Sequence, residues 1–448
     1  MNLPKLNTQY ELYIESQSNT SDGVAHIDGY TLFISDAVKG DRILATVTKL
    51  NKTYGFAMLD KILEPSAIRQ TPPCDAFPLC GGCSLMNITP EAKAEFKCDI
   101  VKNALLRLGG IDVPVAFSMP ERQHRYRNKM IFPFSENGEW GFYKNKTHDV
   151  VPLKDCLLGD SLNPDIMNTV KDFCKKNGIS FYNEATGKGI LRRVFTRVSY
   201  ESGEMMVVIS VNADRLKNAD ILVDNLTVLS SRITSIILNV NKKRTNLVLG
   251  EKNITLWGKN TLADTLLGLK YEISPHSFFQ INHAETEKLY TKALEYAEPD
   301  REKTVLDIYC GIGTISLSAA KNAKKVVGVE IVPDAIKNAK ENAKNNGIEN
   351  AEFYVGSAED IVPQLIENGE KFDIVILDPP RKGSDEKTLS AILKAAPERI
   401  VYVSCNPATL ARDLKFLTEN GYKTQEVTAF DLFPETNHVE SAVKLTKL

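Results

Sequence analysis

Five apolar, β-branched runs in the C-terminal part of the chain constrain its fold more than any other feature. TVLDIYC, KVVGVEIV, AEFYVGS, FDIVILDPP and RIVYVSCN are separated by helical stretches such as PDAIKNAKENAKNN and EKTLSAILKAA. Near-continuously apolar strands need cover on both faces, and strands that alternate with helices connect in parallel. The region from about Leu262 to Leu448 therefore reads as a doubly wound α/β domain. Such sheets bind ligands outside the carboxyl ends of their strands.

The chain is 448 residues long, and at about 150 residues per domain it has room for roughly three. Residues 1–62 hold short alternating runs, YELYIES, VAHID, TLFIS, RILATVTK and TYGFAML, separated by turn signals such as Ser-Asp-Gly and Lys-Gly-Asp. They predict a small β-barrel of the kind that binds oligonucleotides, with Lys49, Lys52, Tyr54 and Phe56 offering charge beside aromatic faces. The proline-bearing linker EPSAIRQTPP follows. Residues 74–261 mix the helical stretch PEAKAEFKCDIVKNALLRLGG with strand-like pieces such as KMIFPF, EMMVVISVN and TSIILNV. They predict an α+β domain with an antiparallel sheet. No apolar run approaches the ~18 residues of a membrane span, and Met1 to Tyr13 lacks the apolar core of a signal peptide. A cytoplasmic protein is expected.

Lys plus Arg number 55 and Asp plus Glu 57, so no global basic excess advertises a nucleic-acid partner. The basic residues of the middle region are grouped, however. Arg122, Arg125, Arg127 and Lys129 surround Tyr126, Arg192, Arg193 and Arg197 surround Phe195, and Lys242, Lys243 and Arg244 form a run. Charge beside aromatics is what a local RNA surface requires, although each group also reads as a solvated face.

After the first strand of the α/β region comes Asp307-Ile-Tyr-Cys-Gly-Ile-Gly-Thr314, whose Gly311 and Gly313 permit a tight turn and close approach to a ligand. Glu330 lies 19 positions beyond Gly311, near the ~20 at which an acidic residue bonds ribose hydroxyls. A third glycine opening the helix is absent, and no Gly-Lys-Thr or Gly-Lys-Ser occurs in this segment. S-adenosylmethionine, with ribose and adenine but no phosphate, fits this crevice better than NAD or ATP. Asp378-Pro379-Pro380 ends the fourth strand, and the prolines hold Asp378 at the same sheet edge. Cys405 ends the fifth strand on that edge, while Asn437-His438-Val439-Glu440 supplies an imidazole and a carboxylate near the C terminus.

Eight cysteines in a chain of this length are too few for a disulfide scaffold. Cys74, Cys80 and Cys83 form a C-x5-C-x2-C pattern with Cys156 far downstream, and four such thiols suit zinc or an iron–sulfur cluster alike. The spacing is not the C-x3-C-x2-C of radical enzymes. Cys98, inside a helical pattern, reads as structural.

The segments FFQIN, DIYCGIGT, DPPRKG, SCNPATLARDL and NHVES, in that order, resemble the motifs of the RNA 5-methyluridine (uracil-C5) methyltransferases. The resemblance covers nearly the whole chain, and the N-terminal barrel is similar to the TRAM domain many members carry. It implies a Rossmann-like class I S-adenosylmethionine methyltransferase domain at 262–448, an OB-like TRAM barrel at 1–62 and an α+β central domain at 74–261. Position by position it implies Cys405 as nucleophile, Glu440 as general base, and Gln280, Tyr309, Glu330 and Asp378 as cofactor-binding residues. Thr314 stands where some members have Asn. It further implies a [4Fe-4S] cluster on Cys74, Cys80, Cys83 and Cys156, and an RNA substrate, 23S rRNA in preference to tRNA. No obligate protein partner is implied. A non-catalytic RNA-binding or redox-sensing protein with a degenerate methyltransferase domain is the rival from another class.

Overall fold

The computed structural model describes residues 3–145, 147–245 and 247–448. At the N terminus six short strands form one sheet in the order Gln9–Tyr13, Arg42–Leu50, Tyr54–Glu64, Tyr30–Ile34, Gly23–Ile27, Ser16–Gln17. The first and last of these are consecutive in the chain, bent at Ile14 and Glu15, so the sheet curls back onto its own start as a barrel. Alternate residues Ile43, Ala45 and Val47 face its core with Leu32 and Ile34. Tyr54 and Phe56 lie on the outer face with Phe33, the Tyr54 ring T-shaped to it and the Phe56 ring tilted, and Lys49 stands opposite Phe56.

The central sheet runs Lys252–Gly258, Ile233–Val240, Met205–Val211, Leu191–Val198, Lys129–Pro133. It departs from the expected antiparallel pattern at one place: Met205–Val211 and Ile233–Val240 are parallel, because the helix Ala219–Leu229 carries the chain back between them. One face of this sheet packs on the helices Asn163–Lys176 and Ala219–Leu229 through Val194, Val207 and Ile236 with Met167 and Leu226.

The C-terminal sheet has eight strands in the order Ala351–Val355, Lys325–Glu330, Thr304–Ile308, Ile374–Leu377, Arg399–Ser404, Glu440–Lys447, Tyr422–Phe430, Val115–Ser118. The first five are parallel and Glu440–Lys447 runs against them. Buried side chains fill both of its faces, Leu306, Val327, Val375 and Tyr402 on one and Val305, Val326, Ile376 and Val401 on the other. This is the doubly covered Rossmann-like sheet that the apolar runs predict. Its last strand comes from the middle of the chain, and the helix Pro90–Ala104 also packs there through Ile100, Val101 and Ala104. Residues 90–118 thus belong in space to the C-terminal layer. Among the described residues no helix is long and apolar enough to cross a membrane.

Candidate active site

Three strand ends build the crevice. Thr304–Ile308 stops at Tyr309, whose φ of 66° is followed by positive φ at Gly311 (55°) and Gly313 (85°) before the helix Thr314–Ala320 begins. Glycine takes those angles without penalty, so the loop stays open at the sheet edge. Glu330, ending the next strand, accepts the Gly311 N–H at 3.3 Å on one oxygen and the Val332 N–H at 2.9 Å on the other. Its carboxylate is held still while lone pairs remain for a ligand.

The second turn carries Asp378, and Pro379 and Pro380 end its strand. The third carries Cys405. Asn406 caps the helix Pro407–Glu419 by accepting the Ala408 N–H at 3.1 Å, and its amide nitrogen donates to the Arg381 carbonyl at 2.9 Å. One asparagine therefore orients the cysteine turn and ties it to the turn holding Asp378. The antiparallel ladder ends at Ser404↔Ser441, so Cys405 and Glu440 flank its last pair, and the Cys405 thiol feels the Glu440 charge. A thiol and a carboxylate from opposite strand directions meet at one edge.

Electrostatics bind the set together. Burial, then the charges of Glu440 and Asp378, push the Cys405 thiol up to about 11, with Arg381 pulling the other way. Burial and Asp378 raise the Glu440 carboxyl to about 8, again opposed by Arg381. Asp378 keeps some exposure, yet desolvation of its carboxyl lifts it to about 6. Asp307, buried below the glycine loop and hydrogen-bonded by Ser316, rises to about 7 through burial and through Asp378 and Glu330. Like charges this close do not all ionise together near neutral pH. A crevice so rich in acids suits a cationic ligand.

Gln280 lies between the hairpin Leu262–Ile273 and the helix His283–Ala297. Tyr290, on that helix and 3% exposed, brings its hydroxyl against the side chains of Gln280 and Thr314 and feels the charges of Asp378 and Glu440. Tyr290 is a residue sequence reasoning missed, because on a helix it carries only the signal of a core aromatic. Arg381 and His438 are joined by a 3.3 Å hydrogen bond, and burial followed by the Arg381 charge holds His438 down to about 4, neutral at physiological pH. A cation directly after the two prolines was the available signal for Arg381.

The four spaced cysteines converge. Cys80 senses Cys74, Cys83 senses Cys156 and Cys80, and all three of Cys74, Cys83 and Cys156 pack against Met86, Tyr126 and Leu158. Every one is a free thiol. Burial raises Cys80 and Cys83 and pushes Cys156 to about 11. Among the described residues, no group of three or more His, Cys, Asp or Glu side chains is drawn together closely enough to hold a metal ion. This pocket abuts the crevice: Ser84 and Leu85 donate to the Glu435 carbonyl at 2.8 and 3.1 Å, and Asn437 donates to Ser84 Oγ at 3.1 Å. The chain from Asp431 to Glu440 therefore rests on the cysteine segment.

Comparison with known proteins agrees with this architecture. Residues 190–448 match the profile of the tRNA (uracil-5-)-methyltransferase family, and residues 5–59 match the TRAM domain. An RNA methyltransferase of Clostridium tetani is 44% identical over 99% of this chain and 97% of its own length. One from Listeria innocua is 42% identical over 99% of each chain. The crystal structure of Pyrococcus abyssi tRNA (uracil-54, C5)-methyltransferase in complex with S-adenosyl-L-homocysteine superposes with a TM-score of 0.80 at 28% identity, covering 97% of this chain and 99% of that one. With a family profile spanning more than half of the chain and relatives this close along its whole length, the protein belongs to the tRNA (uracil-5-)-methyltransferase family of RNA methyltransferases and carries an N-terminal TRAM domain.

Proposed function

We propose that the protein methylates C5 of uracil in RNA through a covalent adduct between Cys405 and uracil C6. The observation that carries this reading is the meeting of Cys405 with Glu440 at the end of one antiparallel ladder, beside Asp378 and Arg381. Uracil C5 is a weak carbon nucleophile, and addition of a thiolate to C6 turns the C4–C5 portion into an enolate that can attack an electrophilic methyl group. S-adenosylmethionine supplies that methyl on a sulfonium, a cation suited to the acidic crevice. Gln280, Tyr309, Glu330 and Asp378 are the residues we assign to holding it, a reading supported by the S-adenosyl-L-homocysteine in the P. abyssi enzyme. Arg381 favours the Cys405 thiolate. Glu440 then takes the C5 proton, the electron pair restores the C5–C6 double bond, and Cys405 leaves C6. A carboxyl raised to about 8 is a stronger base than an ordinary one.

We assign 23S rRNA as the substrate, from the combination of TRAM barrel and cysteine pocket. tRNA is the second reading, favoured by the substrate of the P. abyssi enzyme. Residues 1–62 are then an RNA-binding barrel and 262–448, completed in space by residues 90–118, the catalytic region, with the rest of 74–261 between them. For Cys74, Cys80, Cys83 and Cys156 we propose a [4Fe-4S] cluster. The gathering of these four free thiols around one small pocket supports that reading. The cluster would staple the cysteine segment beneath the chain that leads to Glu440.

RNA carrying 5-fluorouridine at the target tests the chemistry, because fluorine leaves no C5 proton for Glu440 to remove. Wild-type protein should form a stable adduct on denaturing gels and Cys405→Ala none. An adduct that survives Cys405→Ala would sink the assignment. Mapping methylated uridines in rRNA and tRNA from cells with and without the gene decides the substrate.

A further inference from the structure

Most of the basic side chains grouped in the middle region are already partnered in the fold. Arg125 pairs with Asp155, Arg192 and Arg193 share Glu184, Lys242 pairs with Asp214 and Lys243 with Glu251, and Arg244 donates to the Ala185 carbonyl. Lys129 and Arg197 differ. They stand directly opposite one another on the neighbouring strands Lys129–Pro133 and Leu191–Val198, so both side chains leave the same face of the sheet. Arg197 is 2% exposed and donates one nitrogen to the Ser277 carbonyl at 3.0 Å, which leaves Nε and Nη1 buried without an acceptor among the described residues. The carboxylate whose charge reaches Arg197 is Asp264, and it is occupied by the backbone N–H groups of Tyr200, Glu201 and Thr265. Lys129 is half-buried, and burial followed by the Arg197 charge pushes its ammonium down to about 8.

Two like charges facing each other across a ladder, with buried donors left unmatched, are an unfavourable arrangement that a bound anion relieves. Their place in the fold indicates which anion. Asn128, beside Lys129, donates its amide to the Gln280 carbonyl at 2.9 Å and its N–H to Ile281 at 2.8 Å, and Arg127 bridges to Asn282. Lys129 and Arg197 therefore flank the segment that brings Gln280 to the crevice, next to Phe278, which is 69% exposed. We propose that Lys129 and Arg197 form an anion seat for a backbone phosphate of the RNA at the mouth of the crevice, a site that rests on the RNA reading above. Lys129 reaches the phosphate from the open side, and Arg197 supplies the charge behind it while holding Ser277. A phosphate contact of this kind sets the register of the strand without reading its sequence.

The test is equilibrium binding of a single-stranded oligouridylate to the full-length protein across a salt series, alongside calorimetric binding of S-adenosylhomocysteine. Each phosphate neutralised contributes about 0.7 to the slope of log affinity against log salt for single strands. Lys129→Ala, at the half-exposed position, should lower that slope by about 0.7 to 1, leave S-adenosylhomocysteine binding unchanged, and be rescued by Lys129→Arg. Normal RNA binding with an unchanged slope overturns the seat and leaves the methyltransferase reading intact. Weakened S-adenosylhomocysteine binding with an unchanged slope also overturns it, and makes the anion a ligand carboxylate. A wild-type protein that binds no oligouridylate overturns the seat together with the RNA reading.

Discussion

Glu440 begins a strand, so its backbone is committed to the sheet edge while its carboxyl lies among Asp378, Arg381 and Cys405. Burial raises it from an ordinary 4.5 to about 8. Two outcomes follow at this scale. Below about pH 8 the carboxyl holds a proton and cannot accept one, so release of methylated RNA from Cys405 should speed up as pH rises to that point. Glu440→Gln should remove this dependence and accumulate the methylated covalent complex with ordinary uridine RNA, visible on a denaturing gel; free turnover would count against the assignment. The same shift acts on stability. A carboxyl whose folded value is raised stabilises the native state fully below its ordinary value and loses that contribution as pH rises toward 8. The melting temperature of Glu440→Gln should therefore gain on wild type between about pH 6 and pH 9, by about 2 °C or more. Cys405, Asp378 and Glu330 were legible because strand ends and prolines mark the sheet edge. Tyr290 was not, since its neighbours come from Gln280 and Thr314, set apart in the chain.

The helix Pro90–Ala104 shows the limit of pattern reading at the scale of an element. Thr89 and Pro90 announce its start, and Ala92, Lys93, Lys97, Ile100, Val101 and Ala104 are its buried stripe. Two lysines on that stripe would ordinarily be assigned to solvent. They are 1% and 0% exposed, with Lys93 paired to Glu435 at 2.9 Å and Lys97 to Asp431 and the Phe433 carbonyl. Both acids lie on the stretch leading to Glu440, so this helix braces that carboxylate's segment. Lys97→Met should cost about 3–5 kcal/mol in chemical denaturation, because Asp431 is left buried and unpaired. The double replacement Lys97→Met with Asp431→Leu should recover much of that loss. An equal loss in both proteins would show that the pair is not the cause.

At the scale of the whole molecule, barrel, cysteine pocket and crevice meet on one stretch. Asn437 donates to the Asn19 carbonyl of the barrel at 2.7 Å and to Ser84 Oγ of the cysteine segment at 3.1 Å, three residues before Glu440. Anaerobic purification should yield about four irons per chain and no zinc, with Cys156→Ser losing the iron and melting at lower temperature. Stoichiometric zinc without iron would replace the cluster assignment. The amino-acid sequence by itself determined the local geometry of this protein. Apolar runs of strand length require a covered parallel sheet, and glycines, prolines and capping residues set where each strand stops, so the crevice edge and the cysteine spacing are visible in one dimension. Only the tertiary structure decided what meets at that edge. The meeting of Cys405 with Glu440, the transfer of residues 90–118 to the C-terminal layer and the facing pair Lys129 and Arg197 depend on register and on contacts between residues far apart in the chain. Those contacts are chosen by burial and charge pairing in the assembled core, and no local propensity encodes them.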